Sequence, residues 1–169
     1  MKTIAILVED MYQVLEIWYP LLRLKESGIA VKTIGTGTKK TYGSKEGYPC
    51  TVDASIDEVN ADDFDGVIIP GGFAPDFLRR YPKMVDFVKR MDQKKKIVAS
   101  ICHGGWMLVS ADILRGRKAT SFFAIKADLV AAGANYVDEE VAVDGNLITS
   151  RKPEDLPAFT VEIIRQLSS

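Results

Sequence analysis

Four apolar runs alternate with helix-like segments along this chain, and that alternation limits it to few architectures. The runs are residues 2–8 (KTIAILV), 30–34 (AVKTI), 65–70 (DGVIIP) and 96–101 (KIVASI). Each is short and almost continuously apolar, the pattern of a strand buried on both faces. Between them, residues 13–27 repeat apolar positions (Ile17, Leu21, Leu24) at helical spacing and stop at Gly28, while residues 82–93 begin with Pro82, suited to a first helical turn. Further helices are expected at 104–111, 123–132 and 154–167. A β-rich excursion is expected at 39–53, and a hairpin over 136–150 turning at Asp144-Gly145-Asn146. Strand–helix alternation of this kind predicts an α/β fold in one domain, residues 1–169, with a parallel sheet covered on both faces.

In such sheets ligands bind at the carboxyl ends of the strands. Two motifs fall there. The third run ends in Pro70-Gly71-Gly72, and the fourth in Cys102-His103-Gly104-Gly105. Ser100, Cys102 and Gly104 form a small-x-nucleophile-x-small pattern, the logic of a nucleophile elbow. A thiol at such a turn sits at the start of the next helix, where backbone N–H groups are expected to lower its pKa. His103 is the only histidine. Adjacent helical residues point about 100° apart, so its imidazole need not touch the sulfur. It serves either as a base across the turn or, through its backbone N–H, as part of an oxyanion hole. Gly71 and Gly72 suit the same hole. Glu16, among Val14, Leu15, Ile17 and Trp18, reads from the residues alone as a surface carboxylate or as a buried one with a raised pKa. Cys50 reads as a structural strand residue.

Composition excludes several functions. A net charge of −1 gives no basic field for nucleic acid. Two cysteines and one histidine make neither a disulfide framework nor a structural zinc set. No metal, nicotinamide or flavin fingerprint occurs, so no cofactor is expected. The start MKTIAILVEDMY turns acidic too early for a signal peptide, and no stretch is long enough to span a membrane; a cytoplasmic location is the expectation. The pair Lys39-Lys40 and the run Lys94-Lys95-Lys96 are expected to be solvated.

Taken in order, VLEIWYPLLRLKESG, FDGVIIPGGFAPD, VASICHGGWML, LRGRKATS and VAVDGNLITSRKPEDL resemble the PfpI family of the DJ/PfpI superfamily over nearly the whole chain. The resemblance implies a flavodoxin-like three-layer sandwich with a mostly parallel central sheet and a cysteine nucleophile elbow, assembled as a homo-oligomer, dimer or hexamer. It implies Cys102 as nucleophile, His103 as its following histidine, and Glu16 as a carboxylate hydrogen-bonded to the cysteine. Gly71, Gly72, His103 and Gly104 would form the oxyanion site, with Arg151 near the substrate. Asp76 stands where an acid from a neighbouring subunit completes a Cys-His-acid triad, one methylene shorter than the usual Glu. Gln13 and Phe122 replace an acid and an aromatic hydroxyl. The function implied is a cysteine-dependent hydrolase, either an intracellular peptidase or a deglycase/glyoxalase-like enzyme acting on methylglyoxal adducts, with a role in stress. The alternatives are a redox sensor using an oxidisable Cys102 and a chaperone.

Overall fold

The computed structural model describes residues 1–169. In chain order its elements are β1 (Thr3–Val8), α1 (Val14–Glu26), β2 (Ala30–Gly35), β3 (Thr41–Gly43), β4 (Pro49–Thr51), β5 (Ala54–Ser55), β6 (Gly66–Ile69), α2 (Ala74–Leu78), α3 (Pro82–Gln93), β7 (Ile97–Ile101), α4 (Gly105–Ser110), β8 (Lys118–Ala119), α5 (Lys126–Ala131), β9 (Asn135–Tyr136), β10 (Ala142–Asp144), β11 (Leu147–Ser150) and α6 (Leu156–Leu167). Seven strands form one sheet in the order β10-β11-β7-β6-β1-β2-β5. Every neighbouring pair is parallel except β10 with β11.

Strand side chains alternate between two cores. Ala5, Leu7, Val67, Ile69 and Val98 pack with Phe87, Met91, Leu108 and Leu129 from α3, α4 and α5. Ile4, Ile6, Val8, Ile68 and Ala99 pack with Ile17, Leu24, Phe159 and Ile163 from α1 and α6. The result is a three-layer, flavodoxin-like α/β sandwich. Both faces of the central strands are dry, which is why their sequences lack polar alternation. No helix is long and apolar enough to cross a membrane.

One expectation needs correction, and two details add to the rest. The hairpin over 136–150 is confined to β10 and β11. Tyr136 instead pairs in parallel with Ala119, and its hydroxyl donates to Ser121 O at 2.8 Å. The five-residue α2, with Pro75 in its first turn, was not expected. Lys96 stands half-buried at the strand edge, where its Nζ donates to Ala61 O and Phe64 O and closes the chain before β6 onto the start of β7.

Candidate active site

Four connections meet at the carboxyl ends of β1, β6, β7 and β11. The β7 connection is the elbow. Ile101 is extended, and Cys102 then turns to φ +59°, the left-handed region. For a residue with a side chain this conformation costs about 1 kcal/mol or more and persists only where packing enforces it. The enforcement is visible at the neighbouring glycines. A Cβ on Gly104 would lie 2.5 Å from Ile69 O. A Cβ on Gly71 would lie 2.7 Å from both Cys102 Cβ and Glu16 Oε1, and 2.9 Å from His103 N. The elbow, the Gly71 turn and Glu16 are therefore in contact with no space for a methyl group between them.

Glu16 is buried, with no exposed surface. Its Oε1 accepts the backbone N–H of Gly71 at 2.8 Å, and its Oε2 has no hydrogen-bond partner within the protein. The expected hydrogen bond to Cys102 is thus absent, and the contact runs through Gly71. Burial pushes the carboxyl up to about 7, against the opposing pull of the Gly71 N–H and of Lys45.

The expected low pKa of Cys102 is not what this geometry gives. The thiol is 8% exposed. Burial first, and the Glu16 charge second, push it up to about 12, while the backbone N–H groups of His103 and Gly72 pull the other way. Desolvation of the buried thiolate outweighs the two amides.

His103 does reach the sulfur: Nδ1 lies 3.2 Å from Cys102 Sγ. The argument from helical spacing fails because the left-handed Cys102 redirects its side chain before the helix begins. Burial and Lys45 hold the imidazole pKa below its ordinary value of 6.5. The ring stands edge-to-face with Trp106 and with Phe122, centroids 5.1 Å away in each case.

An open cleft of about 510 Å³ leads to Cys102, lined by Gln13, Lys45, Ser121, Phe122, Phe123 and the Arg151–Glu154 turn among others. Gln13 lies there and caps α1 through its side-chain oxygen, which accepts from Leu15 N at 2.6 Å. Arg151 lies there too, but its guanidinium is engaged: Asp155 takes Nε and Nη2, each at 3.0 Å, and Asp138 takes Nη1 at 3.0 Å. These carboxylates raise its pKa further above the ordinary arginine range. Asp76 lies on α2, and Arg80, in the turn just beyond that helix, holds its carboxylate at 2.6 Å. Cys50 sits buried on β4 away from the cleft, pushed up to about 11 by burial. No cluster of three or more His, Cys, Asp or Glu side chains gathers to hold a metal.

Sequence reasoning missed Lys45, Lys152 and Trp106. Lys45 enters the site on the β3–β4 turn, fixed by its N–H to Tyr12 O at 2.9 Å. That long-range pairing leaves no local signal.

The chain's likenesses agree with this geometry. The sequence model described as the DJ-1/PfpI family matches residues 2–166. Deglycase PfpI of Pyrococcus furiosus is 42% identical over 164 residues, 97% of this chain and 98% of that one. Protein/nucleic acid deglycase 2 of Escherichia coli is 42% identical over 170 residues, 99% of each. A solved two-domain protein of Anabaena variabilis, containing DJ-1/ThiJ/PfpI-like and ferritin-like domains, superposes with a TM-score of 0.97 at 43% identity, covering 99% of this chain and 48% of that one.

Proposed function

The chain belongs to the DJ-1/PfpI family, and from that premise we propose that it is a cysteine-dependent hydrolase acting on small carbonyl adducts, as a deglycase does. The observation that carries this reading is the elbow itself: a strained Cys102 with Nδ1 of His103 at 3.2 Å from its sulfur, at the floor of an open cleft. The cleft's volume lies within the range of small-molecule sites, roughly 300–1,000 Å³. Relatives named deglycases support the same choice.

The proposed first step follows from the distances. The thiol proton passes to Nδ1 of His103, and the sulfur pair forms a C–S bond to the substrate's carbonyl carbon. The carbonyl π pair moves to oxygen, where the N–H groups of Gly72 and His103 receive the developing charge. These two amides favour negative charge at the sulfur in the resting site. The raised thiol pKa and the lowered imidazole pKa make a free thiolate–imidazolium pair costly, so the proton moves to Nδ1 as the C–S bond forms rather than before it. Glu16 in its neutral form keeps a second negative charge away from the sulfur. Arg151 shapes the cleft wall through its two carboxylates. The proposed step does not require Asp76 of a second copy.

The test is purified protein on methylglyoxal-modified N-acetyl-lysine and, separately, on a fluorogenic peptide, each beside Cys102→Ala. Release of free amine from the adduct, lost in the variant, is the expected result. Turnover of the peptide alone would move the reading to a peptidase. Full activity of Cys102→Ala on either substrate would remove the nucleophile assignment.

A further inference from the structure

Within one chain, His103 has no hydrogen bond to a carboxylate. Its only side-chain hydrogen bond is Nδ1 to Cys102 Sγ, and no carboxylate of the chain forms an ion pair with it; Asp76, the acid that family resemblance offers, is paired with Arg80. Two aromatic rings hold the imidazole instead. Trp106 meets it edge-to-face at 70° and Phe122 at 82°, both with centroids 5.1 Å away.

Each ring is itself anchored. Trp106 Nε1 donates to Asp128 Oδ2 at 3.0 Å, and the guanidinium of Arg79 lies over the indole 5.6 Å from its centroid. Arg79 is fixed in turn by its Nε to Ser110 Oγ at 2.9 Å. Phe122 donates its backbone N–H to Cys102 O at 3.2 Å, tying it to the elbow, and packs against Phe123, centroids 4.6 Å away. Asp128 and Arg79 act on the indole, not on the imidazole. The titratable groups nearest His103 are Cys102 on its own turn, Glu16 of α1 below Gly71, and Lys45 on the β3–β4 turn.

We propose that Trp106 and Phe122 are positioning residues for His103, an aromatic clamp that fixes the imidazole with Nδ1 toward Cys102 Sγ. Edge-to-face contacts orient a ring because its faces and edges carry opposite partial charge. A carboxylate would hold the ring by hydrogen-bonding its second nitrogen and would raise its pKa. The clamp holds the ring by shape, keeps it dry and leaves the base neutral. This inference rests on the hydrolase reading for its catalytic meaning, but not for its test.

The test exploits His103 being the only histidine. In protein labelled with 15N-histidine, long-range 1H–15N spectra report one imidazole without ambiguity. Wild type is expected to show a single tautomer and a pKa below 6.5. Trp106→Leu and Phe122→Leu are expected to average the tautomers and move the pKa up toward 6.5. Trp106→Phe keeps a ring and is expected to restore most of the wild-type signature. In turnover, the Leu variants are expected to lose about tenfold in kcat at similar KM, the effect of one or two aromatic contacts. Should a Leu variant not fold, by circular dichroism, Trp106→Phe and Asp128→Asn carry the comparison: a partly averaged tautomer in Asp128→Asn supports the clamp. An unchanged tautomer and pKa in the folded variants would overturn it, as would averaging caused by Asp76→Ala alone. Intact spectra with no turnover of any carbonyl substrate would sink the hydrolase reading and leave the clamp standing.

Discussion

Replacing Glu16 by Gln should stabilise the protein at neutral and alkaline pH. Glu16 is fully buried, accepts one N–H, from Gly71, and has its second oxygen unpartnered. Its pKa rises from 4.5 to about 7 on folding. The folded state therefore binds this proton more tightly than the unfolded state. Below pH 4.5 both states are protonated and the residue contributes no pH-dependent cost. Between pH 4.5 and 7 the unfolded state ionises first, and the native state loses stability. Above pH 7 the loss is constant, about 3 kcal/mol at 1.36 kcal/mol per pKa unit. Gln is a neutral near-isostere that keeps the Gly71 N–H bonded and leaves one polar atom unpartnered, as Glu does. Urea unfolding of wild type and Glu16→Gln from pH 4 to 8.5, at one protein concentration, should show a gap of about 2–3 kcal/mol in favour of the variant at pH 8. The gap should close below about pH 5. A variant equally stable or less stable at pH 8, or a gap independent of pH, would refute the reasoning.

The other substitutions separate backbone from side-chain causes. Gly72 has φ +73° and a Cβ position 2.5 Å from Met11 O and Gln13 N, so Gly72→Ala should cost more than about 2 kcal/mol in thermal or urea unfolding. Gly145, with φ +59° and nothing within 4 Å of the same position, should cost only about 1 kcal/mol as Ala. Arg151→Met should destabilise by about 3 kcal/mol, because it strands the buried Asp155 carboxylate; a variant with raised KM and unchanged stability would show that Arg151 binds substrate instead. In labelling with a disulfide reagent the faster-reacting thiol should disappear in Cys102→Ala, since Cys50 faces the core while Cys102 opens to the cleft.

How much was legible follows from the range of the interactions involved. The strand–helix alternation was plain because strands covered on both faces must be apolar throughout, as β1, β6 and β7 are. The site's edge followed, since Gly71-Gly72 and Cys102 end two of those strands. The state of Glu16 was not legible: its one hydrogen bond comes from a residue 55 positions away, and an amphipathic helix does not say which of its carboxylates will meet a glycine turn. The Cys102–His103 contact was left open because periodicity assumes helical dihedrals, and Cys102 has φ +59°. The region 136–150 divided because Val137 N and the Tyr136 hydroxyl find Ala119 and Ser121 on the preceding loop, pairings that turn residues do not announce.

Burial works against the charged form of each of the three titrating groups at the elbow, and that bears on when the site works. Burial raises the Cys102 thiol to about 12, lowers His103 below 6.5 and raises Glu16 to about 7. Desolvation disfavours each charged form, so the resting pair is thiol and neutral imidazole rather than thiolate and imidazolium. If the nucleophile arises by proton transfer to Nδ1, kcat/KM must fall at acid pH, where protonated His103 can accept nothing. It must also fall above about pH 7, where ionised Glu16 places negative charge beside the sulfur. The profile should be a bell with its alkaline limb near pH 7 and its acid limb below pH 6.5. Glu16→Gln should keep the acid limb and lose the alkaline one, because no carboxylate remains to ionise. A rate that climbs steadily with pH in wild type would instead mean attack by free thiolate from solution equilibrium. An alkaline limb that survives in Glu16→Gln would assign that ionisation to another group.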